Sequence, residues 1–289
     1  MESRAARLFF RAMTVIALGF LYVPLVLVAI YAFSKGRGSS WPPDLFTTKW
    51  FALAWNHPDL KPALVNSLSI AAVATIAALI LGSLAAFAVH RFRFFGRDAI
   101  SFALVLPIAL PGIVTALALS SAADVSGLGF GFLSIVIGHT TFCIVVVFNN
   151  VIARLRRTPG SLIEASMDLG AAGWETFRYV TLPSIRSALL AGGLLAFGLS
   201  FDEIIVTKYL AGTTGTLPIF IYRNLSRPTN KPIVNVVALI VGVLSILPVY
   251  LALRFAGEGG IGPTTPSSRP RGTAPAAGRP AALAAGSVP

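Results

Sequence analysis

An all-α, polytopic membrane protein with six transmembrane helices is the fold class this 289-residue sequence predicts. Three observations predict it. Apolar residues make up 55% of the chain and charged residues only 12%, with a mean hydropathy of +0.79, far above what a water-soluble domain tolerates. Uncharged runs recur along most of the chain, and in lipid only helices or closed barrels satisfy every backbone hydrogen bond. Most of these runs exceed 20 residues, the length of a spanning helix and not of a barrel strand. Finally, the 23 Lys and Arg sit mostly between the apolar runs, where a membrane protein keeps its topological charges. A soluble globular enzyme is excluded. The net charge of +12 does not mark a nucleic-acid binder either, because no compact basic domain or interleaved aromatic platform accompanies it.

The runs are, in order, Ala12 to Ser34, Pro62 to His90, Ala99 to Ala123, Val125 to Ala153, Ser187 to Phe201 and Pro232 to Leu253. The first follows Arg4, Arg7 and Arg11, as a secretory signal would, but it is too long and no A-x-A cleavage site follows closely, so it reads as an uncleaved span. In the third run Pro107 and Pro111 predict a kinked helix. The fourth carries the single cysteine, Cys143, which rules out an internal disulfide and a thiol metal cluster and reads as a small buried hydrophobe. In the fifth, Gly192, Gly193 and Gly198 permit close helix approach. Three regions follow: residues 1–63, a first span with an external loop; residues 64–256, a core of five spans; and residues 257–289, rich in Pro, Gly, Ala and Ser, a disordered cytoplasmic tail.

Orientation follows from the short loops. The loop after the second run carries Arg91, Arg93 and Arg97, whereas the loop from Asp124 to Gly129 carries no basic residue. Both termini are then cytoplasmic. The longer external segments hold Lys35, Arg37, Lys49, Lys61, Lys208, Arg223, Arg227 and Lys231, so the bias is modest and the short loops decide.

On the cytoplasmic side lies the polar but patterned loop 154–186. Thr158-Pro159-Gly160 breaks the preceding helix, and Ser161 with Glu164 has the spacing of a capping box. A short helix is predicted from there through Ala165, Ser166 and Asp168 to Gly170, the residue type that ends helices in the left-handed conformation. A second turn, Trp174 to Val180, places Trp174, Phe177 and Tyr179 or Val180 on an apolar side before Leu182 and Pro183 stop it.

This loop resembles the EAA loop of ABC importer permeases. There the pattern reads E-A-A, three residues, G, nine residues, I-x-L-P. Here Glu164-Ala165-Ser166, Gly170 and Val180-Thr181-Leu182-Pro183 match it residue for residue, with Ser166 for the second Ala and Val180 for the Ile. The resemblance runs from about Leu64 to Arg254. Asn66-Ser67-Leu68, Leu106-Pro107 through Pro111-Gly112, and His139 to Cys143 are similar to the spermidine/putrescine branch, and most similar to its C-type subunit. So are Leu199 to Glu203 and Thr216 to Tyr222. The resemblance implies a type I ABC importer permease fold in a bacterial inner membrane, with no catalytic residue on this chain. It implies as partners an ATP-binding subunit dimer carrying ATP and Mg, a second homologous permease and an extracytoplasmic solute-binding protein. In keeping with that, no G-x-x-x-x-G-K-[ST] phosphate loop occurs in the sequence. As the ATPase-coupling loop it marks Ser161, Glu164, Ala165, Ser166, Asp168, Gly170, Leu182 and Pro183, with Glu164 setting the loop geometry.

Asp202 and Glu203 are the unusual residues of the fifth run. They arrive about 15 residues after the cytoplasmic loop, roughly 22 Å into a layer about 30 Å thick. An acid at the bilayer centre costs about 2.5–3.5 kcal/mol, so such residues face water or protein. Along a continuous helix the two point about 100° apart, with Glu203 sharing a face with Ser200 and Thr207 and Asp202 with Gly198. Two readings stand: one acid lines a translocation path for a cation, or both are solvated or paired to Lys208 or Arg223 at the outer interface. His139, mid-membrane in the fourth run, is either a path residue or a hydrogen-bonded structural histidine. The functional expectation is a permease for polyamines or similar small cations. Another solute, such as an amino acid or opine, an aminophosphonate or ferric iron, is the alternative. A membrane-embedded enzyme is disfavoured by the lack of H-E-x-x-H, G-x-S-x-G or paired-cysteine motifs.

Overall fold

The computed structural model describes residues 4–36, 41–43, 45–92 and 94–256, so the tail expected from Gly257 onward lies outside the described residues. Twelve helices are described: α1 (Arg4–Ala32), α2 (Lys49–Trp55), α3 (Leu60–Arg91), α4 (Arg97–Ala109), α5 (Gly112–Val125), α6 (Phe132–Arg157), α7 (Gly160–Asp168), α8 (Gly173–Thr176), α9 (Leu182–Phe201), α10 (Ile205–Leu210), α11 (Leu217–Leu225) and α12 (Lys231–Ala256). Among the described residues the only β pairing is one antiparallel bridge, Ser34 with Phe46. Five helical stretches are long and apolar enough to cross a membrane: Ala6–Ala32, Leu60–Arg91, Phe132–Arg157, Gly173–Phe201 and Pro228–Ile246.

The third expected span departs from a single kinked helix. It is two helices, α4 and α5, of 13 and 14 residues. The break follows from Pro111, which has no amide hydrogen and forces Leu110 before it into extended backbone, φ −79° and ψ 147°. Pro107, by contrast, is carried inside α4.

At the centre, α3, α6 and α9 pack on one another. Helix α3 presents a stripe of buried small residues, Ser67, Ala71, Ala74, Ala78, Gly82 and Ala86, at helical spacing. Lipid tails are as apolar as leucine, so helices associate in a membrane chiefly by close packing, which small residues permit. At Gly82 the approach is so close that a Cβ would stand 2.9 Å from the Ile144 carbonyl oxygen on α6. Gly192 and Gly193 do the same for α9, facing Asn150 with Val147 and Leu79 respectively, whereas Gly198, expected to join them, has nothing within 4 Å of its Cβ position. Cys143 is fully buried in this core and donates its thiol hydrogen to the Ala196 carbonyl at 3.3 Å.

A second cluster sits around the start of α3. Ala32 of α1, Trp50 and Ala54 of α2, Leu60 and Ala63 of α3, Leu217 and Phe220 of α11, and Val236 of α12 pack together. The Trp50 indole donates to the Ser34 carbonyl at 2.7 Å, which pins α2 to the end of α1. Helix α1 otherwise touches mainly α12 and is exposed along most of its length.

Candidate functional site

Two places carry the residues singled out from sequence: the loop between α6 and α9, and a cleft where α9 ends. In the loop, Gly170 has φ +85°, the left-handed conformation expected of it. The turn it makes lets the Ala171 amide donate to the Ser166 carbonyl at 3.1 Å and the Gly170 amide to the Met167 carbonyl at 2.9 Å. A hydrogen bond of 3.0 Å between the Ser166 and Thr176 hydroxyls then ties α7 to α8. Arg154 Nε donates to the Ser184 carbonyl at 2.8 Å, joining the end of α6 to the start of α9.

The expected capping box at Ser161 and Glu164 does not form. Helix α7 starts at Gly160, with Pro159 as its cap residue and no side-chain cap bond. Pro159 is pre-set in extended backbone and its carbonyl accepts the first amide bond, from Leu162, so the helix begins ahead of Ser161. Ser161 and Glu164 are therefore both exposed, Glu164 beyond the first turn. A carboxylate cap occurs instead at Glu175, whose Oε2 accepts the Ala172 amide at 2.8 Å. Loop geometry rests on Gly170, Ser166 and Glu175, not on Glu164.

Nor do Leu182 and Pro183 stop a helix. Phe177–Thr181 forms a π-turn that runs directly into α9, with Pro183 in its first turn. The wider π-turn removes the demand for an amide at Pro183 and the clash of its ring with the preceding turn. Ala165 and Asp168 are exposed, and so are the apolar Leu162, Met167, Leu169, Trp174 and Tyr179. Trp174 stacks on Phe177, and Phe177 in turn meets Phe87 of α3, edge to face at 5.5 Å.

At the other end of α9 the helix stops at Phe201, and Asp202 to Ile204 are not helical before α10 begins. The expectation of two acids 100° apart on one continuous helix is thereby corrected. Asp202 caps the end of α9 through its amide, and its side chain is exposed. Glu203 turns back over α10, where Oε1 accepts the amides of Ile205 and Val206 at 2.8 and 3.0 Å. An acid at a helix start is favoured there by the amides it satisfies.

Glu203 lines a narrow cleft with Ser67 and Ile70 of α3, His139 of α6, Ser200 and Phe201 of α9, Thr207 of α10, and Thr216 and Pro218 at the start of α11. His139 is 2% exposed and bridges the break: Nδ1 lies 2.8 Å from Ser200 Oγ and Nε2 2.9 Å from Thr207 Oγ1. The Thr207 hydroxyl hydrogen goes to the Glu203 carbonyl at 2.7 Å, so its oxygen accepts from Nε2–H, and Nδ1 accepts from Ser200. A neutral imidazole satisfies the whole chain. Lys208, an alternative partner for the acids, lies over the Tyr222 ring at 4.9 Å.

The family model described as binding-protein-dependent transport system inner membrane component matches residues 78–256. The chain belongs to that family. Among its relatives, the permease is 34% identical over 250 residues to the spermidine/putrescine transport system permease protein PotC of Haemophilus influenzae, covering 86% of this chain and 96% of that one. It is equally identical over 237 residues to the putrescine transport system permease protein PotI of Escherichia coli K12, covering 79% and 84%. Solved structures share the fold. A bacterial alginate ABC transporter in complex with an alginate pentasaccharide-bound periplasmic protein aligns with a TM-score of 0.68 at 16% identity, covering 88% and 95%. The inward-facing MetNI methionine ABC transporter aligns at 0.58 and 17%, covering 70% and 98%. The chain is thus a multi-pass inner-membrane transport subunit and not an enzyme.

In this permease the structure gathers Glu203, Ser200 and His139 into one cleft and leaves Asp202 outside its lining. Ser67, Thr207 and Thr216 complete that cleft without having been singled out as site residues from sequence. The sequence signals were indirect: Ser67 and Thr216 lay inside segments that resemble the family, and Thr207 shared a helical face with Glu203, but an isolated hydroxyl residue reads equally well as ordinary packing or capping.

Proposed function

We propose that this permease forms half of the path by which an ATP-driven importer carries polyamines, or similar small organic cations, into the cell. What supports the solute class is the 34% identity to PotC across 86% of this chain and 96% of that one. The cleft is consistent with it chemically, since a carboxylate among hydroxyls suits an ammonium group. At ~4 Å and an effective dielectric near 20, one carboxylate contributes about 4 kcal/mol of gross attraction, much of it offset by desolvation. Such a site biases entry without trapping the ion.

The loop at α7 and α8 serves as the coupling element. Its exposed Leu162, Met167 and Trp174 offer apolar surface to an ATP-hydrolysing subunit, which holds the ATP and Mg. The machine is completed by a second homologous permease and an extracytoplasmic solute-binding protein, with both termini of this chain in the cytoplasm. ATP-driven uptake by the full complex in proteoliposomes tests the reading. Labelled spermidine or putrescine accumulates in preference to amino acids; accumulation of an amino acid with none of either polyamine overturns the solute assignment.

A further inference from the structure

Thr216 is the cap residue of α11, in extended backbone at φ −118° and ψ 164°. A threonine in that position ordinarily turns its hydroxyl to accept an amide of the first helical turn. This one does not, for α11 has no side-chain cap bond. The second helical position is Pro218, which has no amide to offer; the Leu217 amide is taken by Ser67 Oγ at 2.8 Å, and the Phe220 amide by the Thr216 backbone carbonyl at 2.8 Å. The Thr216 hydroxyl is left buried with no hydrogen-bond partner, on a residue 3% exposed that lines the same cleft as Glu203. Thr75, Ser83 and Thr115 also carry unpaired hydroxyls, but they lie within α3 and α5 and do not line the cleft. A buried hydroxyl without a partner is destabilising, so one on a residue that lines a cleft calls for an occupant that completes it.

We propose that Thr216 is a solute-contacting residue, its hydroxyl oxygen accepting a hydrogen bond from a primary ammonium group while Glu203 supplies the compensating charge. The proposal rests on the reading of this cleft as part of a cation path. Contact requires the cleft to widen, and the hydrogen bonds around it allow that. His139 binds Ser200 and Thr207, joining α6, α9 and α10; Asn66 and Ser67 bind Gly215 and Leu217, joining α3 to the start of α11. Among the described residues no side-chain hydrogen bond links these two groups across the cleft, so widening it there loosens the packing of α3 on α6 and α9 but breaks none.

The test uses the assembled importer with its receptor and ATPase, and compares T216V, T216S and E203Q for the maximal rate of ATP-driven diamine uptake and for the melting temperature of the complex. Valine has the shape of threonine without the hydroxyl. T216V is expected to slow uptake about tenfold, the factor for losing one hydrogen bond to a charged group, while the melting temperature stays level or rises. T216S keeps the hydroxyl and transports within about twofold of the parent. A merely structural threonine would move activity and stability down together. If T216V does not assemble, T216A repeats the comparison. Parental uptake by the hydroxyl-free variant alongside an impaired E203Q overturns the role of Thr216 and leaves the path reading intact, as does equal impairment of T216S. Parental uptake by both E203Q and T216V overturns the path reading itself and the proposal with it.

Discussion

Gly170 and His139 show how much single residues carry here. At φ +85° any residue with a Cβ is strained, yet a Cβ at Gly170 meets nothing within 4 Å. The penalty is therefore confined to the backbone, about 1–2 kcal/mol, and falls on the turn that sets α7 against α8. Replacing Gly170 by Ala should leave the permease at normal abundance in the membrane but weaken coupling, so that solute-stimulated ATP hydrolysis and uptake both fall. Unaltered uptake would remove the loop's turn from the coupling mechanism. For His139 the expected damage is to stability. His139→Leu leaves the Ser200 hydroxyl without its partner in a dry core and empties one acceptor site on Thr207. An orphaned buried polar group costs about 1–3 kcal/mol, so the complex should melt several degrees lower. Thermal unfolding in detergent checks this, and an unchanged melting temperature would show that the imidazole bridges nothing that matters.

Among the elements, the short helix α10 depends on an acid that also faces the cleft. Glu203 Oε1 holds two amides at the start of α10, and the side chain is only partly buried. The two roles separate by substitution. Glu203→Gln retains an oxygen for the amides but loses the charge, so it should keep stability and slow cation uptake. Glu203→Ala loses the cap as well, a further cost of about 1–2 kcal/mol. Measured together, uptake and melting temperature should diverge for Gln and fall jointly for Ala. A Gln variant that transports like the parent would reduce Glu203 to a structural cap. The π-turn at Phe177–Thr181 makes a related point, since it lets one continuous helix run from the coupling loop through Pro183 into the membrane. The loop is thus continuous with α9, whose far end borders the cleft.

For the molecule as a whole, the testable quantity is orientation. The Arg-bearing end of α3 and the coupling loop share one end of the bundle, as the contact of Phe87 with Phe177 requires. Arg91, Arg97, Arg154, Arg156, Arg157, Arg178 and Arg186 fall around that end, where cytoplasmic charge belongs. The native Cys143 is fully buried and will not label, so single introduced cysteines report cleanly. Met167→Cys in α7 should react with an impermeant maleimide only from the cytoplasmic side, and Ser126→Cys after α5 only from outside. The reverse pattern would invert the topology and place the coupling loop where no ATPase can reach it.

Fold class, the positions of most spans and the left-handed turn at Gly170 were legible in the sequence, because each depends on chemistry local to a few consecutive residues: an apolar run of bilayer length, or a residue without a Cβ. The start of α7 was also a local matter, but two local signals competed there, and Pro159 prevailed over the Ser161 and Glu164 spacing. Tertiary structure alone decided the cleft. His139 meets Ser200 and Thr207 across 61 and 68 positions of sequence, and Ser67 takes the Leu217 amide across 150. No periodicity encodes such pairings. They arise because α3, α6 and α9 pack at a closeness set by their small residues, which brings the ends of α9, α10 and α11 together. Once there, each polar group in a dry interior takes whichever partner is within reach, and the hydroxyl of Thr216, a residue lining the cleft, is left with none.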